Sequence, residues 1–410
     1  MQDRTAVLFA ATFAYFAAVM QRSSLGVASL EAATRFQASA SQLAGLAVFQ
    51  LAVYAAMQIP VGLLLDRFGP KRLLQIGSAC MAIGQLLVAA ASTISVAYLG
   101  RSLVGMGDAF TFISLLRLIV NWTPAKTAGR SQQVLVALGQ LGQLASAIPF
   151  AIALANLGWT NSFSIAATVV VASFILVTVF VSNHDTAHTS VSLKVSWLQL
   201  IENIKFSGTR MSFWIHFTLQ SSGSVFALLW GVPFLVAGEG QSRVFASSML
   251  TLQILLSLVW GVAIGWMTLH RPKWRGRVIV SIACSIIAIW IVFALVPNRA
   301  PVWLLVVLVA VISVGGPASI LAMDYSRGFI PKERLGTANG FINIGGFLAT
   351  FVIMWLAGGV LDLVRAVRHT RENFSFDGFR WALSVQIIIL VFGLIMYFIE
   401  RRRTAVTHQV

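Results

Sequence analysis

Long apolar runs alternate with short polar segments along almost the whole chain. Each run is close to or above the roughly 20 residues that an α-helix needs to cross the hydrocarbon core of a bilayer. The pattern therefore predicts an all-α polytopic membrane protein with twelve transmembrane helices. These are called spans 1 to 12 below: 5–30, 41–65, 73–91, 96–120, 131–155, 163–181, 212–236, 244–267, 278–296, 302–323, 336–361 and 379–398.

One longer polar stretch, residues 182–210, interrupts the series after span 6. It predicts a cytoplasmic linker between two six-helix halves, residues 1–181 and 211–410. The segment 121–130 also has a counterpart at 329–336, with proline, basic residues and glycine in similar order. Two repeated halves with a binding site near the membrane midplane are a known transporter layout.

Composition agrees with a membrane protein, since 58% of the residues are hydrophobic and 10% are charged. A soluble domain carries about 25% charged residues. The net charge of +16 would also suit nucleic-acid binding, but the basic residues lie mostly in short loops between spans. Their bias to one side predicts that both termini are cytoplasmic. The exception is the loop after span 11, whose arginines are partly offset by acids that include Asp362 and Asp377.

The loop between spans 2 and 3 reads Gly-Leu-Leu-Leu-Asp-Arg-Phe-Gly-Pro-Lys-Arg over residues 62–72. This pattern resembles the loop between helices 2 and 3 of the major facilitator superfamily of secondary transporters. The resemblance implies a gate in which Asp66 accepts hydrogen bonds from the start of span 11, near Gly336 and Thr337. The residues implied in this gating motif are Gly62, Asp66, Arg67, Gly69, Lys71 and Arg72, with Arg117 as a second partner.

A carboxylate, Asp108, lies near the middle of span 4. On membrane-insertion scales a charge at that depth costs about 2.5–3.5 kcal/mol unless it faces a cavity or a partner. Such a group is suited to binding and releasing a proton, which predicts a role in proton coupling. The alternative is a buried hydrogen bond that only holds helices together.

Two arginines lie in the same region of the first half, Arg22 in span 1 and Arg101 in span 4. Arg101 precedes Asp108 by seven residues on one helix face, a rise of about 10.5 Å, with Gly105 between them. The missing side chain at Gly105 would leave space for a ligand or for a neighbouring helix. A guanidinium group is a planar fork of donors that suits an anionic substrate, although either arginine could instead extend toward the membrane interface.

Two short segments resemble one particular family of transporters. Residues 21–25, Gln-Arg-Ser-Ser-Leu, and residues 101–109 look like helices 1 and 4 of the anion:cation symporter family. By that resemblance Arg22 would bind the substrate anion and Asp108 would carry the proton. The family usually has an acid where this chain has Gln21, which leaves the number of coupled protons open.

Other polar residues inside the spans are candidates for the substrate site, although each alone is also typical of a hydrogen bond between helices. His216, in span 7, is expected to pack in the core. The candidates for substrate contact, besides Arg22 and Arg101, are Gln50, Tyr54, Gln140, Gln220, Asn339 and Asn343.

These features predict a secondary active transporter that takes up a small organic anion with protons by alternating access. A proton-coupled exporter and a substrate sensor on the same fold are the alternatives. An enzyme is not expected, because the sequence has no metal-ligand cluster and no nucleophilic triad at convincing spacing. The chain is expected to act as a monomer in a bacterial cytoplasmic membrane, with lipid, protons and solute as partners and with no cofactor, metal or nucleic acid.

Overall fold

A computed structural model describes residues 3–182, 198, 201–326, 330, 335–369 and 372–407. Within this part of the chain, eleven helical segments are long and apolar enough to cross a membrane. One of them, Ala137–Phe180, contains Gly158 at a φ of 73°, where two helices meet. The eleven segments therefore account for twelve spans, and the prediction of an all-α polytopic membrane fold is confirmed.

By its internal contacts the chain divides into two units. Unit 1 comprises residues 1–38 and 45–192, and unit 2 comprises residues 39–44 and 193–410. The predicted linker, 182–210, lies largely outside the described residues. Within its described part, residues 201–205 are helical, and the helix that carries span 7 begins at Ser207, a few residues before the predicted start of that span.

The first six helices carry spans 1 to 6. They are α1 (Arg4–Val27), the short α2 (Ser29–Arg35), α3 (Ala40–Ala90), α4 (Ile94–Trp122), α5 (Ala125–Ala145) and α6 (Ala151–Phe180).

Two breaks in these helices have clear local causes. Helix α3 contains spans 2 and 3, which are separated at Gly69 by a φ of 74°; glycine adopts this conformation without steric cost. A π-helical turn, Ser146–Phe150, joins α5 to α6 and contains Pro149. Proline has no backbone N–H and cannot continue the regular hydrogen-bond ladder.

The remaining helices carry spans 7 to 12. They are α7 (Ser207–Val225), α8 (Arg243–His270), α9 (Arg275–Leu295), α10 (Val302–Ser313), α11 (Leu335–Val367) and α12 (Phe376–Thr407).

Short segments extend two of these helices. Two π-helical turns continue α7 to Gly238, and the segments Gly315–Ser319 and Leu321–Ser326 continue α10. Helices α11 and α12 run several residues past the predicted ends of their spans. Apolar patterning detects only the part of a helix that crosses the membrane, so these polar extensions were not predicted.

Candidate functional site

The central feature of unit 1 is an ion pair between Arg22 of α1 and Asp108 of α4. Arg22 Nε lies 2.6 Å from Asp108 Oδ2, and Nη2 lies 2.8 Å from Oδ1. Both carboxylate oxygens are thus bound by one guanidinium, the strongest geometry for this pair. The Asp108 side chain is 1% exposed and the Arg22 side chain 14%. The pair is therefore buried, and only its arginine keeps a small exposed fraction.

Two tyrosines flank this ion pair. The Tyr54 ring of α3 lies under the Arg22 guanidinium at 5.0 Å from its centroid, a cation–π contact. About two helical turns before Arg22 on α1, the Tyr15 hydroxyl accepts a hydrogen bond from Gln140 Nε2 of α5 at 2.7 Å. Tyr15 was not predicted as a site residue, although it precedes Arg22 by seven residues and so shares its helix face.

The two terminal nitrogens of Arg101 donate to protein acceptors, whereas its buried Nε has no hydrogen-bond partner among the described residues. Its Nη1 donates to the carbonyl oxygen of Gln21 at 3.2 Å and to Ser24 Oγ at 3.3 Å. Its Nη2 donates to the carbonyl oxygen of Arg22 at 3.2 Å and to Gln50 Oε1. The Arg101 side chain is 1% exposed. It therefore ties α4 to the backbone of α1 at the residue that carries the ion pair.

Gln21, on the same turn of α1, makes a further hydrogen bond between helices. It is completely buried, and its Nε2 donates to the carbonyl oxygen of Ala166 in α6 at 2.9 Å. The position where the resembling family usually has an acid is thus occupied by a neutral amide that holds two helices together.

The space at Gly105 is filled by a helix. A Cβ atom built on Gly105 would lie 2.2 Å from the carbonyl oxygen of Gln50 in α3. Of the two sequence-based alternatives, a ligand or a neighbouring helix, the structure shows the helix. This close approach brings Gln50 within hydrogen-bond reach of Arg101.

Gly105→Ala is expected to lower the thermal unfolding midpoint, because the added methyl group overpacks the contact between α3 and α4. Overpacking of this kind costs about 1–3 kcal/mol. Gly359→Ala is the matched control, since a Cβ there meets nothing within 4 Å and alanine favours a helix over glycine. Equal midpoints for the two purified variants would contradict the close packing at Gly105.

The predicted site residues of unit 2 form a separate set of hydrogen bonds. Gln220 of α7 donates to Ser224 Oγ and accepts from Ser319 Oγ, both at 3.0 Å. Asn339 of α11 accepts from Ser326 Oγ at 3.1 Å. Asn343 is half-buried one turn further along α11. Gln220 and Asn339 thus link neighbouring helices within this unit.

His216 packs against a glycine of α11. Its Nδ1 accepts a hydrogen bond from the Gly346 N–H at 3.1 Å, and a Cβ on Gly346 would lie 2.4 Å from that nitrogen. The ring is 5% exposed. These contacts agree with the core-packing role expected for His216.

The predicted gating motif is described in part. Lys71 Nζ donates to the carbonyl oxygen of Thr178 in α6 at 3.0 Å, and the Arg67 guanidinium lies 5.2 Å from the Phe68 ring centroid. Arg72 and Arg117 are exposed. The Asp66 side chain lies outside the described part of the chain, so its contact with the start of span 11 stays a prediction.

The described helices therefore define a polytopic membrane protein. It carries a buried, bidentate ion pair within unit 1. The sequence profile of the Major Facilitator Superfamily matches residues 11–354. The chain belongs to this family, and the predicted resemblance to the superfamily is confirmed; the resemblance to the anion:cation symporter family stays a prediction.

Several curated relatives are named as transporters. One, from Cupriavidus necator, is a "Probable sulfoacetate transporter SauU", 26% identical over 193 residues, which are 47% of this chain and 45% of that protein. Another, from Escherichia coli, is a "Probable L-galactonate transporter", 31% identical over 153 residues, 36% of this chain and 34% of that protein. The nitrate/nitrite transporter NrtP of a Picosynechococcus species is 27% identical over 171 residues, 40% of this chain and 32% of that protein. The chain spans less than half the length of each of these relatives.

Solved structures share the fold over nearly the whole chain. A bacterial homologue of the human lysosomal transporter Spinster matches with a TM-score of 0.73 and 15% identity, covering 97% of both chains. The nucleoside transporter NupG matches with a TM-score of 0.73 and 12% identity, covering 98% of this chain and 99% of that one. At these identities the similarity supports the fold alone.

Proposed function

We propose that this protein is a secondary active transporter that imports a small organic anion together with protons by alternating access. The observation that carries the proposal is the bidentate Arg22–Asp108 pair. A carboxylate or sulfonate group on a substrate presents oxygens much as Asp108 does. Such a substrate therefore competes with Asp108 for the same guanidinium fork.

The charge of the cluster favours an anion. Arg22 and Arg101 are two cations beside a single carboxylate, Asp108, so the cluster carries one net positive charge. Desolvated charge without compensation is costly in the membrane interior. An anion bound at Arg22 replaces the negative charge that Asp108 loses on protonation, while Arg101, whose terminal nitrogens are already occupied, acts by charge and by positioning the α1 backbone.

Proton coupling follows from the same competition. When Asp108 takes up a proton, it loses the charge that holds Arg22, and the guanidinium becomes available to the substrate. Proton binding and anion binding thus favour each other, and the coupling is reciprocal. Tyr54 and Gln140 complete the substrate contacts proposed for unit 1, and Gln220, Asn339 and Asn343 those proposed for unit 2.

Three curated relatives are named for the anions sulfoacetate, galactonate and nitrate, which supports an anionic substrate, whereas a fourth is named as a riboflavin transporter. The proposal places a monomer in a bacterial cytoplasmic membrane with both termini in the cytoplasm. The bias of basic residues toward one set of loops supports this orientation.

Thermal stabilisation of the purified protein by anions tests the proposal. Sulfoacetate, L-galactonate and nitrate are the first probes, with a neutral sugar as the control. At least one organic anion is expected to raise the unfolding midpoint, because ligand binding stabilises the folded state by mass action. The rise is expected to be larger under mildly acidic than under mildly alkaline conditions, because proton binding and anion binding favour each other in the proposed cycle. Stabilisation by neutral compounds alone would refute the proposed substrate class.

A further inference from the structure

A cluster of arginines and tyrosines lies in unit 2, where α9 begins and α12 ends. A Cβ atom built on Gly276, the second residue of α9, would lie 3.4 Å from Tyr325 Oη and 3.5 Å from Arg401 Nη2. Arg401 Nη1 in turn lies 3.5 Å from Tyr397 Oη, and the charges of Arg275 and Arg401 both act on Tyr325. Two arginines and two tyrosines from three helical segments thus lie together beside the start of α9.

The positive charge of this cluster is not compensated by the protein. Within the part of the chain that the structure describes, neither Arg275 nor Arg401 forms an ion pair, and Arg275 Nε is buried without a hydrogen-bond partner. The neighbouring Glu400 is buried and already paired with Arg210 and Arg403. A buried donor without a partner costs free energy, so an acceptor from outside the chain would stabilise this arrangement.

The start of α9 adds to the positive charge. Its first turn contains no acidic residue, and its N-cap residue, Trp274, makes no side-chain hydrogen bond to the turn. The N–H groups of a helix N-terminus carry partial positive charge, so basic side chains are unfavourable there and an anion is favourable. Arg271, Lys273 and Arg277 are nonetheless exposed in this segment, and the nearby Asp324 can offset only one of these charges. The cluster therefore suits a bound anion.

The cluster lies at the depth of lipid headgroups. Arg275, Tyr325 and Arg401 lie just outside the predicted spans 9, 10 and 12, respectively. Trp266, near the end of α8, and Trp274 are exposed, and tryptophan is enriched where a membrane helix meets the interface with water. Basic pockets between helix ends at this level bind lipid headgroups. A phospholipid is therefore a better match to this position than a free ion.

We propose that this cluster binds the phosphate group of an anionic phospholipid. The guanidinium groups of Arg275 and Arg401 donate charge-assisted hydrogen bonds to the phosphate oxygens, and the hydroxyls of Tyr325 and Tyr397 supply neutral donors beside them. The partial positive charge at the start of α9 strengthens the binding. This lipid site is separate from the Arg22–Asp108 pair in unit 1, so it depends on neither the proposed substrate nor proton coupling.

Native mass spectrometry of the purified full chain tests the site. The protein in detergent is titrated with phosphatidylglycerol, with phosphatidylcholine of the same acyl chains, and with inorganic phosphate. The first bound lipid is expected to be phosphatidylglycerol in preference to phosphatidylcholine, because only its headgroup carries a net negative charge. The double variant Arg275→Gln with Arg401→Gln is expected to weaken phosphatidylglycerol binding by about tenfold or more, the size expected for losing charge-assisted hydrogen bonds.

Two further double variants separate this site from a general attraction of lipid to basic residues. Arg277→Gln with Arg402→Gln removes the same charge from exposed positions on the same two helices and is expected to bind phosphatidylglycerol nearly as the wild type does. Arg275→Lys with Arg401→Lys keeps the charge but loses both planar forks, so its affinity is expected between those of the wild type and the glutamine variant at these positions.

Equal weakening by the two glutamine double variants would overturn the site, because it would mark a general attraction to the basic surface. Equal affinity for the two lipids in the wild type would overturn the anionic headgroup. Binding of inorganic phosphate in place of phosphatidylglycerol, with the same sensitivity to Arg275 and Arg401, would assign the cluster to a soluble anion and overturn the lipid.

Discussion

Asp108→Asn is expected to abolish proton-driven accumulation of the substrate while leaving exchange of labelled for unlabelled substrate intact. Asparagine has nearly the same shape as aspartate but does not bind and release a proton. It also carries no charge to hold Arg22, so the guanidinium stays available and the substrate still binds. The measurement is uptake into proteoliposomes with an alkaline interior, compared with counterflow in the absence of a gradient, using the anion that gives the largest thermal shift.

The control for this variant is Asp377→Asn, which removes an exposed carboxylate outside the buried cluster. It is expected to accumulate substrate as the wild type does. Full gradient-driven accumulation by Asp108→Asn would refute its role in coupling. Loss of counterflow as well would show that the carboxylate acts in binding or folding and not only in coupling.

Arg22→Lys is expected to weaken anion binding by tenfold or more, about the contribution of a charge-assisted hydrogen bond. Lysine keeps the positive charge but lacks the planar fork that engages two oxygens at once. The measurement is the anion concentration that gives half of the maximal thermal shift. Arg402→Lys, an exposed replacement near the end of α12, is the control and is expected to bind as the wild type does.

Removing the Arg22 charge tests separately how this residue contributes to anion binding and to the stability of the fold. Arg22→Gln leaves the Asp108 carboxylate buried without its partner, and breaking a buried pair in this way costs about 3–5 kcal/mol. The double variant Arg22→Gln with Asp108→Asn removes both charges. It is expected to reverse most of the decrease in the thermal unfolding midpoint without restoring anion binding. A double variant that binds the anion normally would contradict the role of Arg22.

The spans were predictable because a bilayer restricts which residues a crossing helix can carry. For the same reason Arg22 and Asp108 could be singled out, since charges inside spans are costly. Their direct pairing was not predicted, because it depends on how α1 packs against α4. Nothing in the local sequence of either helix specifies the distance between two side chains that lie 86 residues apart.

The contacts of Arg101 and Asp362 were harder to predict for a related reason. Both side chains bind backbone groups, which every residue carries, so the sequence contains no sign of the partner. Arg101 resembles a substrate ligand in sequence, yet its terminal nitrogens bind α1 and Gln50. Asp362 resembles a simple counter-charge to nearby arginines, yet it caps α3.

The fixed charge of Arg101 has an electrical consequence for the proposed cycle. A guanidinium keeps its proton throughout the physiological range, so the empty cluster carries one positive charge at each reorientation. A proton on Asp108 adds one positive charge and a monovalent anion adds one negative charge, which leaves the loaded cluster at the same value. Import of a monovalent anion with one proton then moves no net charge, and the pH difference drives it independently of membrane voltage. A divalent anion would make the same cycle sensitive to voltage, because each charge that crosses contributes about 2.3 kcal/mol per 100 mV.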